Sequence, residues 1–103
     1  MENKILSLMR FARKSGGLSY GYEAVSKMMI KQRVYLVVLT EDISPNTREK
    51  IQRLAAQKDI PLIDRFATLE LSRELGLKPT AVYALKNRHF AQKILEFHSG
   101  KKE

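Results

Sequence analysis

The chain has 103 residues, 44% of them hydrophobic, with 19 Lys and Arg against 11 Asp and Glu for a formal charge of +8, and it has no cysteine. That length suits one domain with a real core, and the missing cysteines exclude a disulfide scaffold, a thiolate zinc site and a thiol nucleophile. No apolar run reaches the roughly 18 residues of a membrane span and no secretory signal pattern is present, so a cytoplasmic protein without a membrane partner is expected.

From Asn3 onward, Ile5, Leu8, Met9 and Phe11/Ala12 recur at helical spacing. This predicts a helix to about Arg13, with Asn3 as N-cap and Gly16-Gly17 as the stop. The alternation of Leu18-Ser19-Tyr20 predicts a very short strand. Gly21 then opens a second helix with Ala24, Val25, Met28 and Met29 as its buried stripe. Glu23 lies in its first turn, where a negative charge suits the helix dipole, and Lys27 and Lys31 lie on one face clear of the stripe.

Val34 to Leu39 is a continuous apolar and β-branched run, the pattern of a central strand covered on both faces. A polar loop, Thr40 to Ile43, leads to Ser44-Pro45, which reads as a cap and a first-turn proline. The third helix runs on through Ile51, Leu54 and Ala55. Ile60 to Ile63 predicts a short strand, with Pro61 placed where no ladder donor is lost. Thr68 is the expected cap of a fourth, short helix with Leu71 and Leu75 inward, ending at Gly76. Thr80 to Leu85 is the last strand. Asn87 caps a final helix with Phe90, Ala91, Ile94 and Leu95 inward, Gly100 ends it, and residues 101–103 read as a frayed tail. Strict alternation of helix and strand predicts a single α/β domain with helices on both faces of one sheet.

The charge is unevenly spread. Residues 1–33 carry a net +5, residues 34–74 a net −1 and residues 75–103 a net +4. A basic face forms if the fold brings the two ends together, and a polyanion is then the natural partner. Enzyme chemistry has little support. Neither GxGxxG nor GxxxxGK[ST] occurs, and His89 and His98 have the wrong spacing for one helical face. Glu41-Asp42 reads as a solvated loop or as capping near the third helix rather than as an acid pair or a metal site. No cofactor and no metal are expected.

The segment from Arg13 to Lys31 fits nucleic acid better. Arg13 and Lys14 precede the glycine pair, Tyr20 and Tyr22 flank Gly21, and a helix starts there with Lys27 and Lys31 further along it. Free N–H groups at a helix start favour phosphate, lysines neutralise neighbouring phosphates, and tyrosine rings stack on unpaired bases. Tyr20 can equally pack inward from its strand. Two loops can join this site at the same end of the sheet: Glu41 to Asn46, and Leu77-Lys78-Pro79-Thr80, where Lys78 adds charge and Pro79 stiffness.

Taken in order, several segments resemble one family. They are Arg13 to Leu18, Ser19 to Lys27, Val34 to Asp42, Asn46-Thr47, Asp59-Ile60-Pro61, Glu74 to Lys78 and Tyr83 to Ala91. The chain resembles the ribosomal-protein family of kink-turn RNA binders, the L7Ae/L30e group, and most of all its bacterial YlxQ-type members. The resemblance covers nearly the whole chain. It implies a three-layer α/β/α sandwich around a four-stranded mixed sheet, and non-catalytic binding of a sharply bent RNA, ribosomal or ribosome-associated, with a monomer as the expected state. In that family the helix after the first short strand begins with glycine, a small residue, Asn, Glu, two variable positions and Lys. The Asn-Glu pair reads sheared G·A pairs and the Lys contacts phosphate. Here Gly21 and Lys27 match, while Glu23 stands in place of Asn and Ala24 in place of Glu. A carboxylate accepts from guanine N–H groups but repels phosphate, so weaker or differently selective binding is implied. Lys31 and the loop from Leu77 to Val82 correspond to further family contacts. The candidate RNA-binding residues are therefore Arg13, Lys14, Gly21, Tyr22, Glu23, Lys27, Lys31, Lys78, Pro79 and Thr80. The second reading is a protein-interaction module on the same fold that has lost specific kink-turn recognition.

Overall fold

Residues 3–100 are described by a computed structural model. Nine elements follow one another: α1 (Lys4–Lys14), β1 (Leu18–Tyr20), α2 (Tyr22–Ile30), β2 (Leu36–Leu39), α3 (Pro45–Lys58), β3 (Leu62–Asp64), α4 (Thr68–Leu75), β4 (Val82–Leu85) and α5 (Arg88–His98). The alternation is the one the sequence predicts. The tail beyond residue 100 lies outside the described residues.

Three helix starts follow local side-chain chemistry. The Asn3 carboxamide oxygen accepts from the Ile5 and Leu6 amides at 2.9 and 3.2 Å. The Ser44 hydroxyl accepts from the Thr47 amide at 3.3 Å, and Pro45 follows it. The Asn87 side chain accepts from the Phe90 amide at 3.1 Å. Such a cap satisfies an amide that the helix itself cannot, worth about 1 kcal/mol each.

The fourth helix differs. Its N-cap is Ala67, and Thr68 is already helical. The role expected of Thr68 is supplied from another loop, because the Asp42 carboxylate accepts from both the amide and the hydroxyl of Thr68, at 2.9 and 2.7 Å. Asp42 thus caps the fourth helix, not the third.

The sheet has strand order β1-β4-β2-β3. β4 lies antiparallel to both β1 and β2, with Tyr83 opposite Tyr20 and Val38, and β2 lies parallel to β3. The sheet is therefore mixed, and helices cover both of its faces. Leu36, Val38, Tyr83 and Leu85 point into one core with α1, α4 and α5. Val37, Leu39, Val82 and Ala84 point into the other, with Val25 and Met29 of α2 and Ile51 and Ala55 of α3. Both central strands are buried at all four positions, which is why they read as continuous apolar runs.

Several boundaries are narrower than the sequence suggests. β2 starts at Leu36 rather than Val34, although the Tyr35 amide still donates to the Leu85 carbonyl at 2.9 Å. β3 is displaced to Leu62–Asp64, leaving the Pro61 carbonyl to accept from the Val37 amide at 2.9 Å. β4 starts at Val82 because Thr80 is held in the preceding loop by side-chain bonds. Two expected core residues lie outside the core: Ala24 is exposed and Phe11 is 60% exposed. Ala12, not Phe11, completes the buried stripe of α1.

Candidate nucleic-acid interface

The strand directions gather four segments at one end of the sheet. These are the C-terminal ends of β1, β2 and β3 and the N-terminal end of β4. The Gly21 amide donates to the Val82 carbonyl at 2.9 Å, and the Thr40 amide donates to the Ala81 carbonyl at 3.0 Å. The start of α2, the loop after β2 and the loop before β4 thus share one rim, as the sequence suggests.

Gly21 is the N-cap of α2, with φ 94° and ψ 146°. Only glycine adopts that conformation without strain. A Cβ there would meet nothing within 4 Å, so packing does not cover the helix start. No side chain caps its first turn, and the amides of Tyr22, Glu23 and Ala24 have no partner among the described residues. Tyr20 and Tyr22 flank this opening, 41% and 42% exposed. Tyr20 does not pack inward. The Arg13 guanidinium lies over its ring, 5.9 Å from the centroid, and so ties the end of α1 to the start of α2. Lys14 is exposed beside Arg13 in the last turn of α1.

Glu23 and Lys27 are both exposed, and neither has an ion-pair partner among the described residues. Lys27 stands six residues past Gly21, about 9 Å along the helix axis. Lys31 is the C-cap of α2, about 15 Å from Gly21 at helical rise. The geometry therefore groups Lys27 with the helix start and sets Lys31 apart from it.

Lys78 and Pro79 are exposed at the tip of the loop before β4. The loop is pinned from below. The Thr80 amide donates to the Ser72 hydroxyl at 2.8 Å, the Tyr83 hydroxyl donates to the Thr80 carbonyl at 2.8 Å, and the Leu77 amide donates to the Ser72 carbonyl at 2.9 Å. Ser72 and Tyr83 are themselves buried, and burial raises the proton affinity of the Tyr83 hydroxyl above its ordinary value. The Thr80 hydroxyl is spent on the Lys78 carbonyl at 2.8 Å. Thr80 therefore shapes the loop, and Lys78 and Pro79 are what it presents.

The loop after β2 is equally fixed. The Thr40 and Thr68 hydroxyls lie 2.8 Å apart, and Thr68 also reaches Asp42. The Glu41 amide donates to the Phe66 carbonyl at 2.8 Å. That bond accompanies a positive φ of 69° at Phe66, a conformation held by the burial of its ring. Of the two histidines, His89 is exposed and His98 has Nδ1 3.1 Å from Arg65. Among the described residues no group of three His, Cys, Asp or Glu side chains is placed to hold a metal ion, and no helix is long and apolar enough to cross a membrane.

Residues 3–95 match the model of the ribosomal protein L7Ae/L30e/S12e/Gadd45 family. The chain belongs to this family. Two relatives, each called RNA-binding protein YlxQ, support the placement. One from Enterococcus faecium is 26% identical over 94% of this chain and 93% of its own, and one from Bacillus subtilis is 28% identical over 85% and 88%. Among solved structures, a protein of unknown function from Bacillus halodurans superposes with a TM-score of 0.91 at 28% identity, covering 95% of this chain and 99% of that one. The Giardia lamblia 15.5kD RNA binding protein superposes with a TM-score of 0.80 at 14% identity, over 99% and 93%, and shares the fold. The family placement agrees with the mixed four-stranded sheet and its two helical layers.

Two residues that the sequence does not single out, Phe11 and Arg73, line one groove between α1 and α4. Phe11 sits at a position where helical spacing allows either burial or exposure. Arg73 shares a groove with Arg13 and Lys14, an arrangement set by the packing of α1 on α4 that no local pattern announces.

Proposed function

We propose that this protein binds RNA without catalysing a reaction, and that its target is a structured RNA with a kink-turn-like bend, ribosomal or ribosome-associated. The carrying observation is the start of α2. Gly21 leaves three amides uncapped and uncovered between two half-exposed tyrosines, with Lys27 behind them and the Lys78-Pro79 tip on the same rim. Amides at a helix start carry partial positive charge and suit a phosphate oxygen. Tyrosine rings give an unpaired base a stacking surface. The rim loops are held by internal hydrogen bonds, so little ordering remains to oppose binding. The two relatives called RNA-binding protein YlxQ support the same reading.

Glu23 is the distinguishing residue. Its carboxylate stands beside the uncapped amides, accepts only, and repels phosphate. It favours a site where a guanine edge rather than a phosphate meets the second helical position. This selects RNAs whose bend exposes a guanine N–H.

The test is a titration of a kink-turn RNA and a straight duplex of equal length at several salt concentrations. With about four phosphates neutralised, log K falls with log salt at a slope of about −3 to −4. Tighter binding of the bent RNA supports the proposal. Equal affinity for the straight duplex at every salt overturns it.

A further inference from the structure

We propose that the groove between the C-terminal halves of α1 and α4 binds an unpaired stretch of RNA, as a second contact beyond the α2 start. The proposal rests on the RNA reading above. The groove holds about 460 Å³ and is lined by Arg10, Phe11, Arg13 and Lys14 from α1 and by Arg73 and Glu74 from α4. That size falls within the range of roughly 300–1,000 Å³ typical of small-ligand sites, enough for a nucleotide and too small for a duplex arm.

Its chemistry is that of a base and a phosphate together. Four cations face one carboxylate, and Glu74 is already held by Arg10 at 2.5 Å. Arg13, Lys14 and Arg73 remain as exposed positive charge. Cations in the last turn of a helix also suit its dipole, which accounts for some of this charge. It does not account for Phe11, whose ring is 60% exposed on the same groove while Ala12 takes the buried position. An aromatic face among guanidinium and ammonium groups is the pattern that stacks bases and tracks a backbone in single-strand binders. A base stacked within a duplex has no free face to offer Phe11, and a duplex end is too wide for the groove, so the occupant is single-stranded.

The groove is continuous with the rim. Arg13 lines it and also lies over the ring of Tyr20, the residue before Gly21. A strand leaving the α2 start therefore passes Tyr20 and Arg13 before it reaches Phe11.

The experiment compares octauridylate with a blunt-ended kink-turn duplex, using wild type, Phe11→Ala, Arg73→Glu and Lys27→Ala. The first two changes replace exposed side chains, and unchanged thermal melting confirms their folding. Each weakens octauridylate by about tenfold, the loss of one stacking or phosphate contact, and leaves the duplex affinity unchanged. Lys27→Ala does the reverse. A photoreactive 4-thiouridine octamer crosslinks to the peptide spanning residues 7–14. The groove assignment is overturned if wild type ignores octauridylate, if both groove variants bind it normally, or if crosslinks map elsewhere. It is overturned too if an octaglutamate peptide binds the groove and octauridylate does not, which marks an acidic protein segment as the occupant. Groove-dependent octauridylate binding without kink-turn binding keeps the groove and refutes the bent-RNA target.

Discussion

The Tyr83 hydroxyl donates to the Thr80 carbonyl from inside the core, holding the loop that carries Lys78 and Pro79. Ser72 joins the pair, 3.2 Å from the Tyr83 oxygen and 2.8 Å from the Thr80 amide. Tyr83→Phe removes the shared donor and leaves the Thr80 carbonyl with Ser72 alone. The expected cost is about 1–2 kcal/mol, read from the urea midpoint at an unchanged slope.

The same hydroxyl predicts an alkaline transition. Burial raises its pKa above the ordinary 10.0. The native state then keeps a proton that the unfolded chain has lost. Stability is unaffected below about pH 10 and falls above it until the native group also ionises. Phe at position 83 abolishes this portion of the fall. Parallel denaturation curves of wild type and Tyr83→Phe between pH 8 and 11 therefore converge as pH rises.

Gly21→Ala imposes a side chain on a backbone with φ 94°. The space is open, so the whole cost is conformational, about 1–3 kcal/mol. The variant melts earlier, and the helix start shifts to relieve the strain. RNA affinity therefore falls by more than the loss of stability explains, which calorimetry on the folded protein measures directly.

Asp42 gives an acid-side prediction. The hydroxyl of Thr68, and then its amide, stabilise the ionised carboxylate and lower its pKa below the ordinary 3.8. The cap is complete above about pH 4 and is lost as the pH drops through the lowered native value. The protection of the Thr68 amide, taken relative to its intrinsic exchange rate at each pH, therefore falls on acidification. Asp42→Ala shows the lowered protection already at neutral pH, with α3 protection unchanged because Ser44 caps that helix.

Lys27 and Glu23 have opposite signatures in binding. Lys27→Ala lowers affinity for bent and straight duplex RNAs alike and reduces the salt slope by about 1. Glu23→Gln removes the charge that repels phosphate. It strengthens straight-duplex binding at low salt, a gain that fades as salt rises, and weakens binding of a bent RNA that offers a guanine N–H to the carboxylate. A Glu23→Gln variant that binds the bent RNA more tightly at every salt overturns the guanine contact.

The order of elements was legible because each helix and strand states its own period. Asn3, Ser44 and Asn87 were legible as caps because a cap is a local bond. The place of Thr68 is not legible, because its partner, Asp42, lies 26 residues earlier and no local pattern shows a cap delivered through space. Phe11 and Ala12 share the same helical stripe within one step, so only the packing of α1 decides which is buried. Ala24 is exposed for the same reason, since Val25 and Met29, with Met28 partly buried beside them, face the core. Of the site, Gly21 and the flanking tyrosines were visible as residue types, whereas the separation of Lys31 needed the length of α2. Gathering Arg13, Lys14 and Arg73 needed the tertiary fold.

The position of β4 between β1 and β2 bears on how the protein is made. During synthesis the ribosome releases β1 and α2 before their neighbour in the sheet, Val82–Leu85, which follows only after α3, β3 and α4. Until then the Gly21 amide lacks its anchor and the Lys78 loop does not exist. The rim at the start of α2 is therefore assembled only when β4 enters the sheet between β1 and β2.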